Sequence, residues 1–236
     1  MTDAPTTQID WPTAVRLIES KYPPIDLFED LADPEDWELL AAAEGKTNPR
    51  IAETIGNLDL VPPERRAGGP GASYVMAPFT HCSPDKPGRF HDGTYGAYYA
   101  ADSFETSVSE VAHHQATRLL DSQDEPGWIS DMRELVGTVD AALLDVRVGG
   151  FEAILAPDTY GQSQAFALQS RDDGANGIVY PSVRNPGGDC IAAFWPDVPA
   201  KPVQGRHFRY HWDGTRIDMI HELRLDGNGP IFRLEA

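Results

Sequence analysis

Gly88-Arg89-Phe90-His91-Asp92-Gly93-Thr94-Tyr95-Gly96-Ala97-Tyr98-Tyr99-Ala100-Ala101 runs on into Ser103-Phe104-Glu105-Thr106-Ser107-Val108-Ser109-Glu110-Val111-Ala112-His113-His114. The pattern reads as a Gly-rich turn, a short aromatic strand and the start of a helix that covers Ser107 to Leu120. One arginine, a tyrosine pair and a glutamate fall at intervals of ten and eleven residues. A guanidinium suits the oxygens of a pyrophosphate, because its planar fork matches them. A carboxylate suits an oxocarbenium-like transition state at a ribose, where positive charge develops. Tyrosine offers a flat apolar wall with a polar tip. Tyr98 and Tyr99 alternate across a strand, so one of the two faces such a pocket and the other faces the core.

Working outward, Gly177-Ile178-Val179-Tyr180-Pro181-Ser182-Val183-Arg184 reads as a turn, a short buried strand and a serine at the strand end, with Arg184 and Asn185 extending a polar rim. Arg89, Tyr99, Glu110 followed by His113, and Ser182 in that order resemble the RES domain, a family named for its Arg, Glu and Ser. The resemblance covers about residues 74–225. Members are the toxins of bacterial RES-Xre toxin–antitoxin pairs. They resemble the ADP-ribosyltransferase fold and consume NAD by glycohydrolysis, by phosphorolysis or by transfer of ADP-ribose to a protein. The resemblance implies an α+β fold, with small mixed or antiparallel sheets flanked by helices. It assigns Arg89 to the pyrophosphate, Tyr99 or Tyr98 to the nicotinamide ribose, Glu110 to the oxocarbenium ion and Ser182 to orienting Glu110 or the substrate. NAD is then a substrate, no metal is called for, and an Xre- or ParS-like antitoxin is expected to occlude the active site. A phosphoribosyl-pyrophosphate synthetase is one compatible acceptor. The chain departs from the family in its N-terminal extension and in one extra residue between Tyr99 and Glu110, which leaves Tyr98 and Tyr99 both open.

Composition narrows the alternatives. The chain has 236 residues and a net charge of 19 − 37 = −18, with no lysine- or arginine-rich block, which argues against a nucleic-acid surface. A phosphate-bearing substrate meets a repulsive average field, so the pocket must supply local positive charge. Hydrophobic content of 41% and five tryptophans indicate a folded chain. No apolar run is long enough to span a membrane, and Met1-Thr2-Asp3-Ala4-Pro5 does not read as a leader, so a cytoplasmic location is expected. Cys82 and Cys190 are expected as reduced thiols.

In chain order, residues 8–20 carry Ile9, Trp11, Val15, Leu17 and Ile18 with Pro12 near the start, and read as a short amphipathic helix. Two further helices are expected, from Asp33-Pro34 to Glu44 and from Asn48-Pro49 to Ile55. A Pro/Gly-rich boundary at Val61 to Gly71 then divides a helical extension, residues 1–70, from a RES domain, residues 71–236. Arg65 and Arg66 in that boundary are read as solvated. Residues 73–80 read as the first core strand, and Met132 to Arg147 as strands with a turn near Gly137. Arg206 to Trp212 is a strand ended by Asp213-Gly214, and residues 216–234 form a closing hairpin.

Two further features invite chemistry. Glu110, His113 and His114 lie near one helix face, but no third strong ligand is nearby in sequence, so the histidines are read as hydrogen-bonded groups at a helix–core boundary. Gly161-Gln162-Ser163-Gln164-Ala165 has the outline of a nucleophile elbow, but Pro157-Asp158 precedes it where a strand is required, so a helix start is the preferred reading. An inactive nucleotide- or protein-binding module of the same fold is the alternative to an enzyme.

Overall fold

The computed structural model describes residues 4–21, 36–37 and 56–234. Its strands are β1 (Thr6–Glu19), β2 (Tyr98–Ala101), β3 (Gly127–Asp145), β4 (Gly177–Pro181), β5 (Asp189–Ala193), β6 (Val203–Trp212), β7 (Ile217–Leu223) and β8 (Ile231–Arg233). Among the described residues the α-helices are α1 (Ala72–Thr80), α2 (Phe104–Ser122) and α3 (Gly161–Asp172). No helix among them is long and apolar enough to cross a membrane. The fold is α+β, with one mixed eight-stranded sheet ordered β1-β2-β5-β4-β3-β6-β7-β8. Every pairing is antiparallel except β3–β4, whose connection carries α3. An additional β1–β3 pairing closes β1, β2, β5, β4 and β3 into a ring.

Residues 8–20, expected as a helix, are a strand. β1 runs beside β3 from Thr6 opposite Leu144 to Glu19 opposite Met132. Its threonines, Val15 and Ile18 favour the pleated surface, and the apolar spacing fits a strand once one extra residue is allowed. That residue is the bulge between Trp11 and Ala14, which holds Pro12 where no ladder N–H is needed.

Residues 73–80, expected as a strand, are helix α1. Ala72, Val75, Met76 and Phe79 are buried at helical spacing, and so short an apolar run does not separate the two periods by itself. β3 is one strand of 19 residues without a turn at Gly137, because β1 pairs on both sides of that glycine. The helices expected over 33–44 and 48–55 lie outside the described residues, apart from Asp36 and Trp37; the Trp37 indole is buried in the core. Within the segment 61–71, Arg65 and Arg66 are held by partners rather than solvated. Arg66 donates to the carbonyls of Val61 at 3.0 Å and Leu58 at 3.2 Å, and Arg65 pairs with Asp197 at 2.9 Å.

Pleating divides the apolar side chains between the faces of the central strands. Tyr98, Val179, Ile191 and Ala193 join α1 in one core, while Ile178, Tyr180, Cys190 and Ala192 join Phe90 and α3 in a second. A third core packs Val108, Ala112 and Leu119 of α2 on β3, β6 and β7. Cys82 and Cys190 are free thiols.

Ile191, fully buried at the centre of β5, is expected to cost about 2–5 kcal/mol on truncation to alanine. Ile231→Ala, on the exposed edge strand, is expected to change stability by no more than about 0.5 kcal/mol. Urea unfolding of both variants checks this; equal losses would contradict the packing.

Candidate active site

The start of α2 and the loop after β4 are built against each other. Ser103 caps α2, its hydroxyl accepting the Thr106 N–H at 3.2 Å. After β4 the chain turns back through Ser182 N–H to Gly188 O at 2.8 Å and Gly188 N–H to Asn185 O at 3.0 Å. The Asn185 amide then donates to the fully buried Thr106 hydroxyl at 2.9 Å. Close approach requires glycine at 188, since a Cβ there would lie 2.1 Å from the Thr106 oxygen.

This contact places Ser182 against Glu110. The Ser182 hydroxyl donates to the Glu110 carboxylate at 2.6 Å. Its oxygen accepts the N–H groups of Asn185 at 2.9 Å and Arg184 at 3.2 Å. With both acceptor positions in use, the serine proton is committed to the carboxylate, a short charge-assisted bond.

The tyrosine pair splits as alternation requires. Tyr98 lies in the first core with the Arg16 guanidinium 4.7 Å from its ring centre. Tyr99 lies on the opposite face, where its hydroxyl accepts the Phe90 N–H at 2.9 Å. Burial pushes the Tyr99 hydroxyl well above the usual phenol range, so it stays neutral. Tyr180, two residues before Ser182 on the same face of β4, is also held neutral, first by burial and then by neighbours that include Glu110 and Tyr99. In the sequence Tyr180 reads only as part of a buried strand; its two-residue spacing from Ser182 is the signal that links it to the site.

Arg89 is 8% exposed. Its guanidinium donates to the carbonyls of Ala156 at 2.6 Å and of Ile154 and Pro157 at 3.5 Å, and lies 4.8 Å from the Tyr160 ring centre. Arg184 donates to the Pro157 carbonyl at 2.9 Å and to Asp158 at 3.4 Å. The 154–158 loop was not recognised in the sequence, because main-chain carbonyl contacts leave no residue-type pattern.

Gln164 of α3 secures the arginine turn from behind, donating to Gly88 O at 2.9 Å. Ser163 is fully buried and its hydroxyl donates to Tyr160 O at 2.9 Å, which makes it a helix-start bond and not a nucleophile. His113 is half-buried, and burial, followed by Arg184 and His114, lowers its pKa below the usual imidazole value. Among the described residues no three His, Cys, Asp or Glu side chains converge on a metal site. The structure therefore brings together Arg89, Tyr99, Glu110, Ser182 and Arg184, adds Tyr180, and sets Tyr98 on the other face.

The sequence model of the RES domain matches residues 63–213, which contain all of these side chains. The chain belongs to the RES domain family. It is 30% identical over 214 residues to the uncharacterised protein y4oC of Sinorhizobium fredii (strain NBRC 101917 / NGR234), covering 90% of this chain and 88% of that one. It is also similar to a chain of the crystal structure of the M. tuberculosis MbcT–MbcA toxin–antitoxin complex, with a TM-score of 0.43, 14% identity and 86% of each chain covered. The RES match begins after β1 and ends before β7, so this member carries paired strands on both sides of the matched region.

Two predictions follow from this geometry. Gly188→Ala should lower stability by about 1–3 kcal/mol through overpacking, and combining it with Thr106→Ala should give less than the sum of the two losses. Denaturation of the singles and the double checks the coupling. His91 is held below the usual imidazole pKa, chiefly by burial. The unfolded chain then takes its proton first, so stability falls as pH drops below about 6.5. His91→Gln should flatten that slope in melting curves, and an unchanged slope would contradict the assignment.

Proposed function

We propose that this RES domain protein is the toxin of a bacterial toxin–antitoxin pair that cleaves NAD at the nicotinamide–ribose bond. The observation that carries the reading is the Ser182 hydroxyl held 2.6 Å from the Glu110 carboxylate. When the C–N bond breaks, nicotinamide leaves with the electron pair and the ribose carbon is left cationic. A carboxylate held beside that carbon stabilises the charge in the transition state more than in the ground state. Ser182 acts through Glu110, fixing the carboxylate so that it need not reorganise as charge develops. Tyr99 and Tyr180, both neutral, offer flat walls that position the nicotinamide ribose and exclude water.

Among the described residues Arg89 has carbonyls and an aromatic ring as its partners, and no carboxylate. Together with Arg184 it supplies the local positive charge that a pyrophosphate needs in a chain of net charge −18. The ribosyl cation is taken by the oxygen of water or phosphate, or by a nucleophilic side chain of a protein acceptor, and the attacking atom loses its proton. A phosphoribosyl-pyrophosphate synthetase is a candidate protein acceptor. In the cell the activity belongs in the cytoplasm under an Xre- or ParS-like antitoxin that covers the cleft.

The engagement of Arg89 by carbonyls also favours a second reading, an inactive module of the same fold that binds a nucleotide or a protein without turnover. Induction of the wild type and Glu110→Gln in cells separates the two, with growth, NAD and ADP-ribosylated proteins followed together. The toxin reading expects arrest with NAD loss or modified protein bands for the wild type, and at least a hundredfold weaker activity for Glu110→Gln. Equal effects of the two proteins would favour the module.

A further inference from the structure

The segment Leu155–Tyr160 holds both guanidiniums of the site by its main chain. Arg89 reaches the Ala156 carbonyl at 2.6 Å and the Pro157 carbonyl at 3.5 Å, and Arg184 reaches the same Pro157 carbonyl at 2.9 Å. The Tyr160 ring stacks on Arg89, and Asp158 stands 3.4 Å from Arg184. A carbonyl oxygen, an aromatic face and a carboxylate are the three kinds of group that hold a guanidinium short of an anionic ligand. One short segment supplies all three.

The middle of the segment lies at the surface. Residues 157–159 are exposed. Behind them Phe151 and Ile154 are buried in the second core, so the strap is anchored at its N-terminal end. Gly161 closes the stretch at the start of α3, and apart from its chain neighbours and its own helix no atom lies within 4 Å of where a Cβ would sit. Glycine's wide backbone range there suits a change of direction at the C-terminal end of the strap.

We infer that Leu155–Tyr160 is an exchangeable strap whose Pro157 and Ala156 carbonyls stand in for the oxygens of a diphosphate group, and that a diphosphate-bearing ligand binds by taking Arg184 and Arg89 from them. The inference rests on the reading of the site as one for a pyrophosphate-bearing substrate, and it adds the step that admits that substrate. Diphosphate recognition is then coupled to strap release. A monoanionic ligand, unable to replace both carbonyls at once, is selected against.

Inorganic pyrophosphate is the probe, with calorimetry on the wild-type chain and a nitroxide label on Thr159→Cys in a Cys82→Ser background. Thr159 is exposed and Cys190 is buried, so the label reports the strap alone. The expected results are saturable binding of pyrophosphate, more weakly by tenfold or more for Arg184→Gln, and a shift of the label toward fast motion on binding. Arg184→Gln should shift the label the same way without pyrophosphate, which a fixed lining loop would not do. Binding with an unchanged or slower label would overturn the strap and leave the NAD reading standing. Absence of pyrophosphate binding in a protein that releases nicotinamide from NAD would do the same. Absence of both would overturn the strap together with the reading on which it rests.

Discussion

A serine hydroxyl whose oxygen already accepts two backbone N–H groups has one direction left for its proton, and in this chain that direction is Glu110. The two residues stand 72 positions apart in sequence, so the bond exists only if the loop after β4 and the first turns of α2 are locked in register. The lock is the buried contact of Thr106 with Asn185 and the missing side chain of Gly188. Upstream, Ser103 caps the helix that carries both Thr106 and Glu110. Downstream, the pairing of β4 with β5 carries Ser182 to the strand end. The position of the carboxylate thus follows from sheet register and one cap.

Charge is the second constraint. A chain of net charge −18 repels anions on average, and salt screens that repulsion only beyond roughly 8–10 Å. The site answers with two arginines held by carbonyls on one loop, whereas several others are neutralised in ion pairs. Arg147 bridges Asp145 and Asp189 at 2.6 Å each, and Arg206 pairs with Glu134 at 2.7 Å. Arg147 and Arg206 tie strands together; Arg89 and Arg184 both hold the 154–158 loop.

The strand at Tyr98–Ala101, the helix carrying Glu110 and the strand end at Ser182 were legible because each has a strong local signature. The hydrogen bond between Ser182 and Glu110 was expected in kind, though family resemblance had to supply its weight. Alternation stated that Tyr98 and Tyr99 must diverge, but only the partners of β2 could show which face is which. The first strand was misread because a bulge at Pro12 breaks its two-residue period into something close to a helical one. Helix α1 reads as a strand for the reverse reason, a short and mostly apolar run that carries Pro78. The long β3 was divided at Gly137 because glycine usually marks a turn, whereas here β1 continues past it. The hold of two arginines on main-chain carbonyls had no signal at all, since a carbonyl is common to every residue.

The most direct measurement is release of nicotinamide from NAD by the purified protein, for the wild type, Glu110→Gln and Ser182→Ala. The account predicts release by the wild type, almost none by Glu110→Gln, and an intermediate rate for Ser182→Ala, where the carboxylate remains but its holder is gone. A wild-type protein that binds NAD without releasing nicotinamide would contradict the account, as would a Glu110→Gln variant that releases it at the wild-type rate.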